Sequence, residues 1–199
     1  MELKVHPQAK GLIFDLDGTL VDSIKLHYDS YMKALEPYGI GFDMKYMLSF
    51  TGMPTLDCSA QVVKDFNVPI SAQALMEKKE QLFAQMIHLV EPIEPVMKVV
   101  REYKGKLPMG IGTGSDRFVA HEIIKRNGLD KYFDAVVTCD DVVNPKPHPE
   151  TFVRCAELIG VNPTQCMVFE DGEHGMSAAR EAGMWVVDVK PYYDKPIWN

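Results

Sequence analysis

Residues 23–90 contain no convincing strand pattern, yet they interrupt a chain that on both sides reads as short apolar strands. Ahead of the interruption stands one buried-strand signal, residues 11–16, built on Leu12, Ile13 and Phe14. After it come Met109–Thr113, Phe133–Val137, Met167–Phe169 and Trp185–Val189, separated by helical segments that close on Gly128, Gly160 and Gly183. Glycine suits the left-handed residue that ends a helix. Strands that alternate with helices pair in parallel, because a crossover of helical length returns the chain to the same edge. The pattern predicts an α/β fold: a doubly wound parallel Rossmann-like sheet with an all-helical cap domain inserted after the first strand. The expected boundaries are 1–20 and 92–199 for the core and 21–91 for the cap, with crossings near Val21-Asp22 and Val90–Pro95.

Within the insert, Ile24, Tyr28, Tyr31 and Leu35 recur at helical spacing behind a cap at Asp22 or Ser23, a stripe that reads as packing. Pro37 and Gly39 end that helix. A further helix is expected from Pro54 to Phe66. A long one follows from Ser71 to about Leu89, with Leu75, Leu82, Met86 and Leu89 inward and Lys78 and Lys79 on its solvated face, unless one of the two lysines reaches substrate. An insert tethered at both ends is well placed to lie over the strand ends as a lid.

Bulk properties narrow the function. A chain of 199 residues, 46% of them hydrophobic, can bury a core without staples. Its net charge of −7 argues against nucleic acid or an anionic membrane as principal partner. Phosphorylated small molecules stay open to it, because a local metal reverses the sign of a site. Cys58, Cys139, Cys155 and Cys166 form neither a CxxC pair nor a zinc pattern, which fits a reducing cytosol. Met1–Pro7 lacks a signal-peptide core, and no run approaches the ~18 apolar residues of a membrane span. A cytoplasmic protein is expected, its oligomeric state left open by the sequence with a monomer plausible.

Four strand ends then stand out. The first carries Asp15 and Asp17; the second, Thr113 followed by Gly114 and Ser115. The third leads to Asn144-Pro145-Lys146-Pro147-His148, and the fourth ends in Glu170-Asp171-Gly172. In a parallel sheet these ends share one edge, the edge where ligands bind. Crowded carboxylates, each ionised above a pKa of about 4, repel one another unless a cation joins them. A hard divalent ion suits oxygen ligands, and Mg²⁺ is the usual partner of carboxylate plus phosphate. Lys146 adds positive charge on a loop stiffened by its flanking prolines, whereas His148 reads as plain loop. Positioning, charge neutralisation and an acid/base are what phosphoryl transfer needs, and an ionised Asp can accept the phosphoryl group.

This set resembles the haloacid dehalogenase (HAD) superfamily over nearly the whole chain. The family's DxDx[TV] motif stands as Asp15-Leu-Asp17-Gly-Thr19, its second motif residue as Thr113, its lysine as Lys146 and its acidic pair as Glu170-Asp171. The order resembles that of the β-phosphoglucomutase-like subfamily, which carries a helical cap after the first motif. Pro108–Ser115, Phe133–Val137 and Pro163–Asp171 look most like its bacterial fructose-1-phosphate / 6-phosphogluconate phosphatase branch.

The resemblance implies that Asp15 attacks phosphorus and that Asp17 is the acid/base. It implies that Thr113 and Lys146 hold the phosphoryl oxygens with backbone N–H groups of the Asp17 loop. Mg²⁺ would be bound by the Asp15 carboxylate, the Asp17 main-chain carbonyl and Asp171, with Glu170 a ligand or a supporting acid. Gly18, Gly114, Ser115, His27 and Gly52 complete the expected substrate-binding set, His27 matching a cap-hinge histidine that orients Asp17. The mutase branch has a Gly-x-Ser-Arg cap motif whose arginine grips a second phosphate. Here the matching stretch is Thr51-Gly52-Met53-Pro54-Thr55, without arginine. The expectation is therefore a phosphatase of small sugar phosphates, with a phosphosugar mutase as the alternative. A dehalogenase is disfavoured because carbon–halogen displacement needs no metal site, and a vestigial binding module because every motif position is occupied.

Overall fold

The structure, a computed structural model, describes residues 2–193. In chain order its elements are β1 (Gly11–Phe14), β2 (Val21–Asp22), α1 (Ile24–Leu35), α2 (Met44–Leu48), α3 (Thr55–Phe66), α4 (Ala72–Met86), β3 (Glu91–Pro92), α5 (Glu94–Tyr103), β4 (Met109–Gly112), α6 (Arg117–Arg126), β5 (Ala135–Val137), α7 (Glu150–Leu158), β6 (Cys166–Glu170), α8 (Glu173–Glu181) and β7 (Trp185–Asp188). Five strands form a parallel sheet in the order β5–β4–β1–β6–β7. The α/β architecture expected from strand–helix alternation is thus the one the chain adopts.

β1 is the central strand and has to hide both faces. Leu12 and Phe14 enter a cluster with Val96, Val100, Ile111 and Ile123, and Ile13 enters a second with Phe152, Cys155, Val168 and Ala178. This is the two-residue period of an extended chain, and helices on both sides explain the unbroken apolar run. Each such buried side chain is worth roughly 1.5–3 kcal/mol. Strand order switches direction between β1 and β6, which opens a crevice beyond their carboxyl ends.

The helices between β2 and β3 enclose a cluster of their own around Tyr31, Leu35, Phe42, Val62 and Leu75. β2 and β3 pair antiparallel, Val21 with Pro92 and Asp22 with Glu91, so the two crossings run side by side as one ribbon. α2 is a helix too short for its periodicity to be read; Asp43 caps it by accepting from the Tyr46 N–H at 2.8 Å. The inward face of α4 also differs from the expected stripe. Leu75, Lys79 and Phe83 are the buried residues, Leu82 and Met86 are half-buried, and Leu89 is 54% exposed. The helix tightens into a 3-10 turn over Ile87–Leu89, and Ile87 takes the inward place the α period assigns to Leu89. Among the described residues, no helix is long and apolar enough to cross a membrane.

Candidate active site

Asp15 continues β1 by one residue: its N–H donates to the Phe169 carbonyl at 3.0 Å, and it is 3% exposed at the mouth of the crevice. The chain then turns at Gly18, whose φ is 81° and whose N–H donates to the Val21 carbonyl at 2.8 Å. A Cβ there would lie 2.6 Å from Asp171 Oδ2, so only glycine lets the Asp17 loop rest against the end of β6.

Lys146 reaches the centre of this edge with its side chain fully buried. Its Nζ donates to Asp15 Oδ1 at 2.7 Å and to Glu170 Oε2 at 2.9 Å. Glu170 Oε1 accepts the N–H groups of Gly172 at 2.9 Å and Asp171 at 3.2 Å. Asp171 Oδ1 accepts from Thr19 Oγ1 at 3.1 Å. Carboxylate oxygens of Asp15, Glu170 and Asp171 lie within 4.8 Å of one another, all buried, and the Lys146 ammonium pairs with the first two. Burial, then the Glu170 charge, push the Asp15 carboxyl up to about 8 against the pull of Lys146. Burial, Glu170 and Asp15 drive Asp171 well above the carboxylate range. Burial disfavours the Lys146 ammonium, but Asp15 and Glu170 outweigh it and raise that group. Surplus buried negative charge on hard oxygen donors is what a divalent cation such as Mg²⁺ relieves, so the donor set fits the ion. Both oxygens of Glu170 are engaged, whereas Asp15 Oδ2 and Asp171 Oδ2 accept no hydrogen bond among the described residues.

Asp17 is held in the opposite electrostatic state. Its Oδ1 accepts from Ser23 Oγ at 2.6 Å and His27 Nε2 at 3.1 Å, and its Oδ2 from Ser115 Oγ at 2.6 Å. Burial alone would raise it; the hydrogen bond and electrostatic pull of His27, then the Ser115 and Ser23 hydroxyls, overcome that and hold it well below the usual carboxylate range. Two acids two residues apart thereby differ in proton affinity in the metal-free site. His27 stacks on Phe83 at 4.0 Å, and its Nδ1 lies 2.7 Å from Lys79 Nζ. An ammonium has only protons to give, so Nδ1 accepts and Nε2–H points at Asp17.

Lys79 corrects the expected solvated face: it is 1% exposed, pairs with Glu80 Oε1 at 2.9 Å and lines the cavity beside Asp17. Its signal was in the sequence, since Leu75, Lys79 and Phe83 recur every four residues on one helix face. Ser23 occupies the N-cap position of α1, yet its hydroxyl makes no capping bond and serves Asp17 instead. Thr113 is buried on the cavity wall, its Oγ1 accepting from the Ser115 N–H at 3.0 Å. The Ser115 hydroxyl is turned to Asp17 rather than to open space. His148 is exposed in its loop.

The cap closes over this edge through the loop Thr51–Met53. A Cβ on Gly172 would lie 2.6 Å from the Thr51 carbonyl oxygen, and one on Gly114 would lie 2.8 Å from that of Gly52. His174 Nδ1 stands 3.3 Å from the same Thr51 carbonyl. The loop therefore sits on backbone bare of side chains, directly above Lys146. The cavity beside Asp17, of about 50 Å³, has room for a few water molecules. Gly172→Ala is expected to displace the loop and speed amide hydrogen exchange across 51–53 several-fold with little change in Tm. Unchanged exchange would show that the seat is not tight.

The family model described as "Haloacid dehalogenase-like hydrolase" matches residues 12–189. The fructose-1-phosphate phosphatase YqaB of Escherichia coli is 41% identical over 187 residues, covering 94% of this chain and 99% of that one. A phosphorylated carbohydrates phosphatase of Thermotoga maritima is 28% identical, covering 88% of this chain and 82% of the relative. Among solved structures, a β-phosphoglucomutase from Clostridium difficile superposes with a TM-score of 0.80 at 25% identity, covering 90% of this chain and 84% of that one.

Proposed function

The chain belongs to the haloacid dehalogenase-like hydrolases, and from that premise we propose that it is an Mg²⁺-dependent phosphatase of small sugar phosphates, such as fructose 1-phosphate or 6-phosphogluconate. The observation that carries this reading is the convergence on one sheet edge of Asp15, Glu170 and Asp171, whose carboxylate oxygens lie within 4.8 Å of one another, with Lys146 Nζ 2.7 Å from Asp15 Oδ1 and Asp17 alongside. Taking 21–91 as the cap and the rest as the core, the reaction needs two displacements at phosphorus. In the first, an Asp15 carboxylate oxygen bonds to phosphorus as the bond to the sugar oxygen breaks, and Asp17 protonates the departing oxygen. In the second, Asp17 takes a proton from water, whose oxygen displaces Asp15 and releases inorganic phosphate.

Asp17 is ionised in the free site, the form the second step requires. A phosphate dianion arriving beside it raises its proton affinity for the first. Lys146 and Thr113 would hold the phosphoryl oxygens that gain charge, while Glu170 keeps Lys146 in place. Asp15, the Asp17 carbonyl and Asp171 would hold Mg²⁺, which when bound neutralises the crowded acids and the phosphoryl oxygens.

A mutase needs a second anion site in the cap. Of the cap residues lining the cavity, Lys79 alone is a lysine or arginine, and it is committed to His27 and Glu80. The reading therefore favours hydrolysis. A phosphate-release screen against sugar phosphates with Mg²⁺ is expected to find turnover that EDTA abolishes. β-Glucose 1-phosphate should yield free phosphate rather than glucose 6-phosphate. Activity that persists in EDTA refutes the metal, and isomer without phosphate release refutes the phosphatase.

A further inference from the structure

The turn that follows β7 touches both loops expected to carry the metal, and nothing in the motif pattern accounts for it. Three contacts run in succession. The Val189 N–H donates to the Glu170 carbonyl at 3.0 Å. The Lys190 ammonium donates to the Asp171 carbonyl, and it is steadied by Asp188 Oδ1 at 3.2 Å. The Tyr193 hydroxyl donates to the Gly18 carbonyl. The first two contacts fall on the β6 loop and the third on the Asp17 loop, so one short turn bridges them.

We infer that Tyr193, with Lys190, is a positioning residue for the metal: the turn holds the Gly18 and Asp171 peptides in the mutual register that a single ion can span. This rests on the reading of Asp15, the Asp17 carbonyl and Asp171 as the metal's ligands. The two loops already meet where Gly18 lies against Asp171 Oδ2. That contact is one of close approach and fixes no direction for a carbonyl. A phenol hydrogen bond to the Gly18 carbonyl does, because it sets the tilt of the Gly18–Thr19 peptide, which is joined through the Gly18 Cα to the peptide that carries the Asp17 carbonyl. The phenol is suited to donate: burial, then Asp171 and the neighbouring carboxylates, raise its proton affinity and keep it protonated. Partners behind metal ligands commonly change metal affinity by ten- to a hundredfold when removed, although they never touch the ion.

Tyr193→Phe removes one hydroxyl and keeps the ring. Titration of the full-length, EDTA-treated protein with MgCl₂ in a calorimeter is expected to show about tenfold weaker binding in the variant. Tm in EDTA should match that of wild type. An unchanged Mg²⁺ affinity overturns the inference. A weaker affinity accompanied by a lower Tm in EDTA also overturns it, because the hydroxyl is then supporting the fold generally. Wild-type protein that takes up no Mg²⁺ removes the metal reading itself, and this inference with it. Wild-type binding with an indifferent variant removes the inference alone.

Discussion

Asp15→Asn is expected to lower phosphate release by about 10⁴-fold or more while the protein stays folded. The amide is nearly the same size as the acid but cannot attack phosphorus at neutral pH. Glu170 remains within 2.9 Å of Lys146 to satisfy the ammonium. The stability of the metal-free protein supplies an independent readout. The Asp15 carboxyl is raised to about 8 in the folded chain, above its ordinary value of 3.8, so the folded state binds more protons than the unfolded one between those limits. Its contribution is fully present below about pH 4 and is lost as pH rises toward 8. Asp15→Asn abolishes that loss, so in EDTA the variant should gain on wild type as pH rises through this window. Activity near wild type removes Asp15 as nucleophile, and parallel stability profiles remove the charge conflict argued for the site.

Lys146→Met should cost both catalysis and fold. Its ammonium is the cation that pairs with both Asp15 and Glu170, at 2.7 and 2.9 Å, with no exposed side-chain surface. Deleting one member of a buried ion cluster strands the others, typically at about 3–5 kcal/mol. Urea unfolding in EDTA at neutral pH should show a loss of that order. The loss should shrink when Mg²⁺ supplies replacement charge, and again when the acids take up protons at lower pH. Turnover with Mg²⁺ should fall about 10²–10³-fold, the usual effect of removing one donor aimed at developing charge. Equal stability of variant and wild type in EDTA would mean that the lysine does not hold the cluster together.

The two effects differ in how far they were visible in the residues. Asp15, Asp17, Thr113, Lys146 and Glu170-Asp171 were legible because each closes or follows an apolar strand, and strand periodicity is a local signal. Ser23 was legible only as a helix cap, since a serine before a helix ordinarily spends its hydroxyl on the first turn. Lys79 was misplaced because Leu82, Met86 and Leu89 offered a competing stripe, and the 3-10 turn at Ile87 that defeats it has no local marker. Tyr193 had no signal in the sequence, and Gly52 and Gly114 were legible as site residues but not as parts of the seat beneath Thr51–Met53. The Tyr193 contact and that seat each depend on backbone from segments more than a hundred residues apart in the chain.

The sequence by itself determined the parallel sheet, the helical interruption and the set of acids on one edge, because hydrophobic period and turn chemistry act over a few residues. It also determined that a second phosphate would find no arginine on the cap loop. Only the tertiary structure decided which acid is pushed toward the proton and which away from it. Asp15 and Asp17 are chemically the same side chain; the first faces Glu170 and a single lysine in a dry crevice, and the second is ringed by Ser23, His27 and Ser115. Proton affinity follows those neighbours: Lys146, Glu170 and Ser115 are gathered from other strand ends of the sheet, and His27 reaches Asp17 from the first inserted helix.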